Sequence, residues 1–148
     1  MKFEMWDAID AVVKLYDDLL EPVYEKHSLT KSELDILLFL ANNPEYDRAA
    51  DIIEVRKVAK SHVSVSVNSL LEKGYLKKKE QKENKRDIHL TVTKKADKII
   101  EDGRAAQKLF DQTIMKGFTH EDRKALQAAS AKFLANCQQY GGETDESY

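Results

Sequence analysis

Only one cysteine, Cys137, occurs in the 148 residues, so the chain can form no internal disulfide and no thiolate metal cluster. Its four histidines, His27, His62, His89 and His120, fall at no spacing that suits a shared metal ion. Two prolines and five glycines leave little room for long irregular loops, and no Gly-rich phosphate loop is present. No apolar run approaches the roughly 18 residues that a transmembrane helix needs. The opening MKFEMWDAID mixes acids with apolar residues and lacks the continuous apolar centre of a secretory signal. The serines have no His and Asp pattern beside them that would activate a nucleophile. These absences point away from an enzyme, a metal site or a cofactor, and the expected location is cytoplasmic.

What is present is charge, unevenly spread. Charged residues make up 34% of the chain and hydrophobic ones 42%, the balance of a charge-rich helical protein with a real core. The formal net charge of −2 conceals two opposed regions. Between Arg56 and Lys98 there are thirteen Lys and Arg against five Asp and Glu, which leaves eleven against twenty-one elsewhere. A basic middle in an acidic frame directs that middle at a polyanion.

Inside the basic region lies Ala59–Gly74, AKSHVSVSVNSLLEKG. Its centre alternates like a strand, but Val63, Val67, Leu70 and Leu71 also form one stripe of a helix. The stripe continues where the alternation fails and stops at Gly74, a residue suited to a left-handed C-terminal cap. With that stripe inward, Ser61, His62, Val65, Asn68 and Ser69 face outward, with Ser64 on the flank. Such short, uncharged side chains can read base edges in a major groove. They also describe an ordinary solvated Ser-rich face.

The neighbouring segments decide between these readings. A first helix over about Phe3–Lys26 carries a wide apolar stripe, Trp6, Ile9, Val12, Val13, Tyr16, Leu19, Leu20, Val23 and Tyr24, that needs a partner surface. Pro22 near its end can kink it. Thr30 and Glu33 form a capping box and Leu29 with Leu34 a staple, opening a core helix that carries Leu34, Leu37, Leu38 and Leu40 and ends at Asn42-Asn43-Pro44. A short helix over about Arg48–Val55, with Ala49, Ile52 and Ile53 inward, then turns into the Ala59–Gly74 helix. The turn has no glycine, and Ala59 stands where a capping side chain is expected. Together these two helices form a helix-turn-helix pattern.

Directly after Gly74, Tyr75–Lys79 and Ile88–Val92 read as two strands around a polar loop, Glu80–Asp87. A hairpin with a basic tip straight after a recognition-type helix is a wing. Thr93 can cap a fifth helix carrying Ala96, Ile99, Ile100, Gly103, Ala106, Phe110 and Ile114, which Gly117 ends. Thr119–Asp122 opens a sixth, with Leu126, Ala129, Phe133, Leu134 and Cys137 expected inward.

This order resembles the MarR family of winged-helix transcriptional regulators over nearly the whole chain. The most specific part is Lys60-Ser61-His62-Val63-Ser64 through Leu70-Leu71-Glu72-Lys73-Gly74-Tyr75-Leu76, together with Asn84-Lys85-Arg86 and Leu90-Thr91-Val92-Thr93. Asn84 stands where the family usually has Asp, and can hydrogen-bond the tip arginine but not ion-pair with it. The resemblance implies a mainly α fold with a small β-hairpin wing. Residues 1–28 and 117–148 would form a helical dimerisation region, and 29–116 the winged helix-turn-helix lobe with its connecting helix. It implies a homodimer on double-stranded DNA at a pseudo-palindromic operator, read as a repressor relieved by a small-molecule effector. DNA contacts would come from Lys60, Ser61, His62, Ser64, Val65, Asn68 and Ser69 on the recognition helix. On the wing, Arg86 would enter the minor groove beside Lys85 and Lys82, with the other wing lysines on phosphates or in solvent. Tyr16, Phe39 and Phe110 could line an effector pocket or be ordinary core aromatics. The alternative function is a protein-interaction module whose basic wing meets an acidic partner.

Overall fold

The computed structural model describes residues 4–56, 58–79 and 88–144. It contains α1 (Glu4–Lys26), α2 (Lys31–Asn42), α3 (Ala49–Arg56), α4 (Lys60–Glu72), β1 (Leu76–Lys78), β2 (Leu90–Val92), a short 3-10 turn (Lys94–Ala96), α5 (Asp97–Ile114) and α6 (His120–Thr144). The chain divides into two compact units, Met1–Gln112 and Thr113–Tyr148. Among the described residues no helix is long and apolar enough to cross a membrane.

The first unit is built around α2. Leu34 and Leu37 are fully buried, Leu38 nearly so, and Ile36, Phe39 and Leu40 are also buried, so the helix is covered on every side. Burying one such side chain is worth about 1.5–3 kcal/mol. The capping box expected at its start is present: Thr30 Oγ1 accepts from the Glu33 amide at 3.1 Å, and Glu33 Oε1 accepts from the Thr30 amide at 3.2 Å. Leu29 and Leu34, the staple pair, are both buried. Leu20 and Val23 of α1, Ile52 of α3, Val63, Val67 and Leu70 of α4, and Ile99 and Ile100 of α5 complete the core.

At Gly103, α5 comes so close to α2 that a Cβ there would lie 2.6 Å from Leu38 Cδ2. Glycine is the residue that permits this approach. Over its first half α1 is not covered: Trp6, Ile9, Val12 and Val13 are each more than two-fifths exposed. Pro22 lies inside the continuous α1.

One expectation about the elements after α4 is corrected. Thr93 does not cap a helix with its side chain; it precedes the 3-10 turn, and its hydroxyl donates instead to the Gly74 carbonyl at 2.6 Å. The wing strands pair with Leu76 opposite Val92 and Lys78 opposite Leu90. A third segment joins them: Arg48 bridges His89, the Ala49 amide donates to the Ile88 carbonyl, and the Leu90 amide donates to the Asp47 carbonyl.

In the second unit, Gly117 adopts a left-handed φ of 82°, and Thr119 and Asp122 exchange backbone-to-side-chain bonds at 3.0 and 3.1 Å that start α6. Leu126, Ala129, Phe133, Leu134 and Cys137, expected inward, are exposed on the single chain.

Candidate nucleic-acid interface

The geometry of α4 follows from its two unlike faces. Val63, Val67 and Leu70 are buried and Leu71 partly so, which fixes the inner stripe as expected. The helix closes with Gly74 at φ 80°, the Tyr75 amide donating to the Leu70 carbonyl and the Gly74 amide to the Leu71 carbonyl. That double closure is a Schellman motif, and it turns the chain directly into β1. At the other end, Ala59 supplies no side-chain cap.

Lys60, Ser61, His62, Ser64, Val65 and Asn68 are all exposed on the outward face, Val65 to 70%. A surface of hydroxyls, one imidazole, one carboxamide and one branched alkyl group offers donors, acceptors and an apolar contact for a thymine methyl. Ser69 differs from the sequence-based expectation. It is partly buried, and its hydroxyl donates to Glu33 Oε2 at 3.1 Å, so it belongs to the inner side of the helix. Ser66, which the apolar stripe did not include, is also buried and donates to Ser32 Oγ at 3.1 Å.

Beside α4, the base of the wing is held by Asp47. Its Oδ2 accepts from Lys79 Nζ at 2.7 Å, and its Oδ1 lies 2.8 Å from His89 Nδ1. Burial by itself would raise the Asp47 carboxyl, but the hydrogen bonds and charges of Lys79 and His89 outweigh it and hold the group below the usual carboxylate range. Lys79 is thus ion-paired rather than simply solvated, whereas Lys77 and Lys78 are exposed. Lys95 stacks over the Tyr75 ring at 5.0 Å. The expected wing contacts Lys82, Lys85 and Arg86 lie outside the described residues.

The aromatic trio is brought near one cleft but not into one pocket lining. Tyr16 and Phe110 meet edge to face at 5.1 Å, and Gln107 Nε2 donates to the Tyr16 hydroxyl at 3.1 Å. Phe39 is buried and stacks on Tyr46. A cleft of about 110 Å³ is lined by Tyr16, Asp35, Phe39, Asn42, Arg56 and Gln107 among others; Phe110 stands behind Tyr16 and does not line it. Burial raises the Asp35 carboxyl despite the opposing charge of Arg56. Among the described residues no group of His, Cys, Asp and Glu could hold a metal ion.

Residues 27–87 match the model of the MarR family. Over that span the chain is similar to the family, and its fold is a winged helix.

Solved structures agree on the fold of this chain. A MarR family transcriptional regulator from Listeria monocytogenes, complexed with 26mer DNA, superposes with a TM-score of 0.82 at 20% identity, covering 99% of this chain and 97% of that one. A MarR protein from Peptoclostridium difficile gives 0.78 at 19%, covering 95% and 91%. The Staphylococcus aureus MarR in complex with salicylate and kanamycin gives 0.74 at 18%, covering 92% and 91%. No curated protein matches the chain in sequence.

Sequence reasoning missed the Asp47 clamp, the Ser66 contact and the inward turn of Ser69. None of them has a periodic signal, because each joins residues more than thirty positions apart.

Proposed function

We propose that this chain is a homodimeric, sequence-specific DNA-binding transcriptional regulator of the MarR family. One observation carries the reading: a helix whose inner stripe is locked into the core presents Ser61, His62, Ser64, Val65 and Asn68 to solvent, immediately before a wing. Base readout then falls to that face, and Lys60 and the exposed wing lysines neutralise phosphates and release counterions. Arg86, with Lys82 and Lys85, is assigned to the wing contact, its planar guanidinium suited to a narrow A·T-rich minor groove. The Listeria relative held on DNA supports the same reading.

Dimerisation is assigned to 1–28 and 117–148. Its support is the uncovered apolar surface of α1, with Trp6, Ile9, Val12 and Val13, and of α6, with Leu126, Phe133 and Leu134. A two-fold dimer sets its recognition helices about 34 Å apart and so calls for a pseudo-palindromic operator. A repressor relieved by a small-molecule effector is the regulatory form proposed. The cleft beside Tyr16 and Phe39 supports it, as does the relative bound to salicylate and kanamycin.

Binding-site selection from random duplex DNA tests the core of the reading. The expected product is a palindrome with two half-sites one helical turn apart. Recovery of no preferred sequence, with tight binding to an acidic protein instead, would replace DNA by a protein partner.

A further inference from the structure

Glu33 does more than close the cap of α2. Its side chain is only 4% exposed, and Oε2 accepts from Lys73 Nζ at 2.9 Å as well as from Ser69 Oγ at 3.1 Å. Lys73 Nζ also donates to the carbonyl of Ser28 at 3.2 Å, a residue held at a left-handed φ of 55° between α1 and α2. Three residues further up the same edge of α4, Ser66 donates to Ser32. Ser66, Ser69 and Lys73 follow one another at three- and four-residue steps, so they form a polar row down one side of the helix. They meet Ser28, Ser32 and Glu33 at the start of α2.

An apolar stripe resists withdrawal of a helix from the core but only weakly resists a small rotation about its axis, because methyl contacts are not directional. Hydrogen bonds are directional, and weaken steeply once misaligned. The row lies on the flank between the buried Val63–Val67–Leu70 stripe and the outward face, where a rotation would stretch it most. We infer that Glu33, with Ser32, is a positioning device for the recognition helix, fixing its rotation so that Ser61, His62, Val65 and Asn68 meet base edges together.

This rests on the DNA-binding reading above. Because base readout needs alignment and phosphate contact does not, the device should govern selectivity more than bare affinity. Burial alone would raise the Glu33 carboxyl. The bonds and charge from Lys73, with those from Thr30 and Ser69, reverse this and keep it ionised.

The test uses the whole chain and two variants: Glu33→Gln, which keeps an acceptor for the Thr30 cap, and the double variant Ser66→Ala/Ser69→Ala, which changes no charge. Affinities are measured on the selected operator and on an unrelated duplex of equal length, alongside urea unfolding. Glu33→Gln should lose about tenfold on the operator, the scale of one lost base contact, and less than about twofold on the unrelated duplex. The double variant Ser66→Ala/Ser69→Ala should move in the same direction, which keeps the test open if Glu33→Gln does not fold. A parallel loss on both duplexes, or an unchanged ratio in folded protein, would overturn the inference.

Wild-type protein that selects no sequence would sink the DNA-binding reading instead. The device is then judged on amide exchange. It predicts faster exchange along α4 than along α2 in the double variant, and equal acceleration of the two helices would refute it.

Discussion

The helices α2 and α4 are nearly the same length, 12 and 13 residues, and contribute to one core, yet they are built on opposite plans. Helix α2 has a reciprocal capping box and is buried on all sides. Helix α4 has no side-chain cap at its start, an apolar stripe on one side, a polar row on its flank and an exposed, largely polar outer face. The difference separates two tasks. Stability resides in the element at the centre of the core, while the recognition proposed above falls to an element whose outer residues stay exposed among the described residues.

That separation is broken most sharply by truncating α2. Leu37 is fully buried at its centre, and Leu37→Ala should cost about 2–5 kcal/mol through lost transfer energy and the cavity left behind. Val65→Ala on the open face of α4 should change stability by no more than about 0.5 kcal/mol. Urea unfolding of both variants checks the contrast. Similar losses would mean that Val65 is covered in solution, most simply by a second copy of the chain.

The complementary experiment leaves the fold alone and damages reading. Asn68→Ala should leave the unfolding midpoint unchanged, since the side chain is exposed, but reorder the preference among operator variants. Each lost base contact is worth roughly 1–3 kcal/mol of discrimination. Uniform weakening on every operator would make Asn68 a phosphate contact and would shift the reading face around the helix.

A smaller effect is present at neutral pH and disappears in acid. Glu33 is held below its ordinary pKa, so the folded state gains stability from its ionised form at pH values above the unfolded glutamate pKa of about 4.3. That contribution fades as pH falls through the lower folded value. The Glu33→Gln variant should therefore be less stable than wild type at neutral pH and approach it below about pH 4. A constant gap across the acid range would show that the carboxylate charge is not what Lys73 and Ser69 recognise.

The two helices were also unequally legible in the sequence. Everything local in α2 could be read directly: Thr30 and Glu33 sit three apart, Leu29 and Leu34 flank them, and Asn42-Asn43-Pro44 stops the helix. The stripe of α4 and its closing Gly74 were legible for the same reason. What could not be read was the partner of each polar group. Ser69 looked like an outward residue because helical angle alone places it near the boundary; its bond to Glu33, 36 residues earlier, turns it inward. Thr93 has the chemistry of a cap but finds the Gly74 carbonyl first. His89 looked isolated until the strand pairing brought it to Asp47. Apolar periodicity reports which face is buried and says nothing of which distant donor meets which acceptor.

The smallest expected effect tests whether the missing cap of α4 is itself part of its task. Ala59 has φ −58° and ψ 137°, a backbone that a capping serine or aspartate can adopt, and it is exposed. Ala59→Ser should supply an acceptor for a first-turn amide and raise stability by about 1 kcal/mol. Ala59→Asp should do the same, helped by its charge at the positive end of the helix dipole. On DNA the two should part. If the start of α4 lies against the phosphate backbone, a carboxylate there repels it, whereas a hydroxyl does not. Ala59→Asp should then bind every duplex more weakly, with the loss greatest at low salt, where screening is least, while Ala59→Ser binds as wild type. Equal binding by both variants would place the start of α4 away from phosphate. A failure of both to stabilise would mean that water already satisfies those amides, and the uncapped start would then be neutral rather than a concession to recognition.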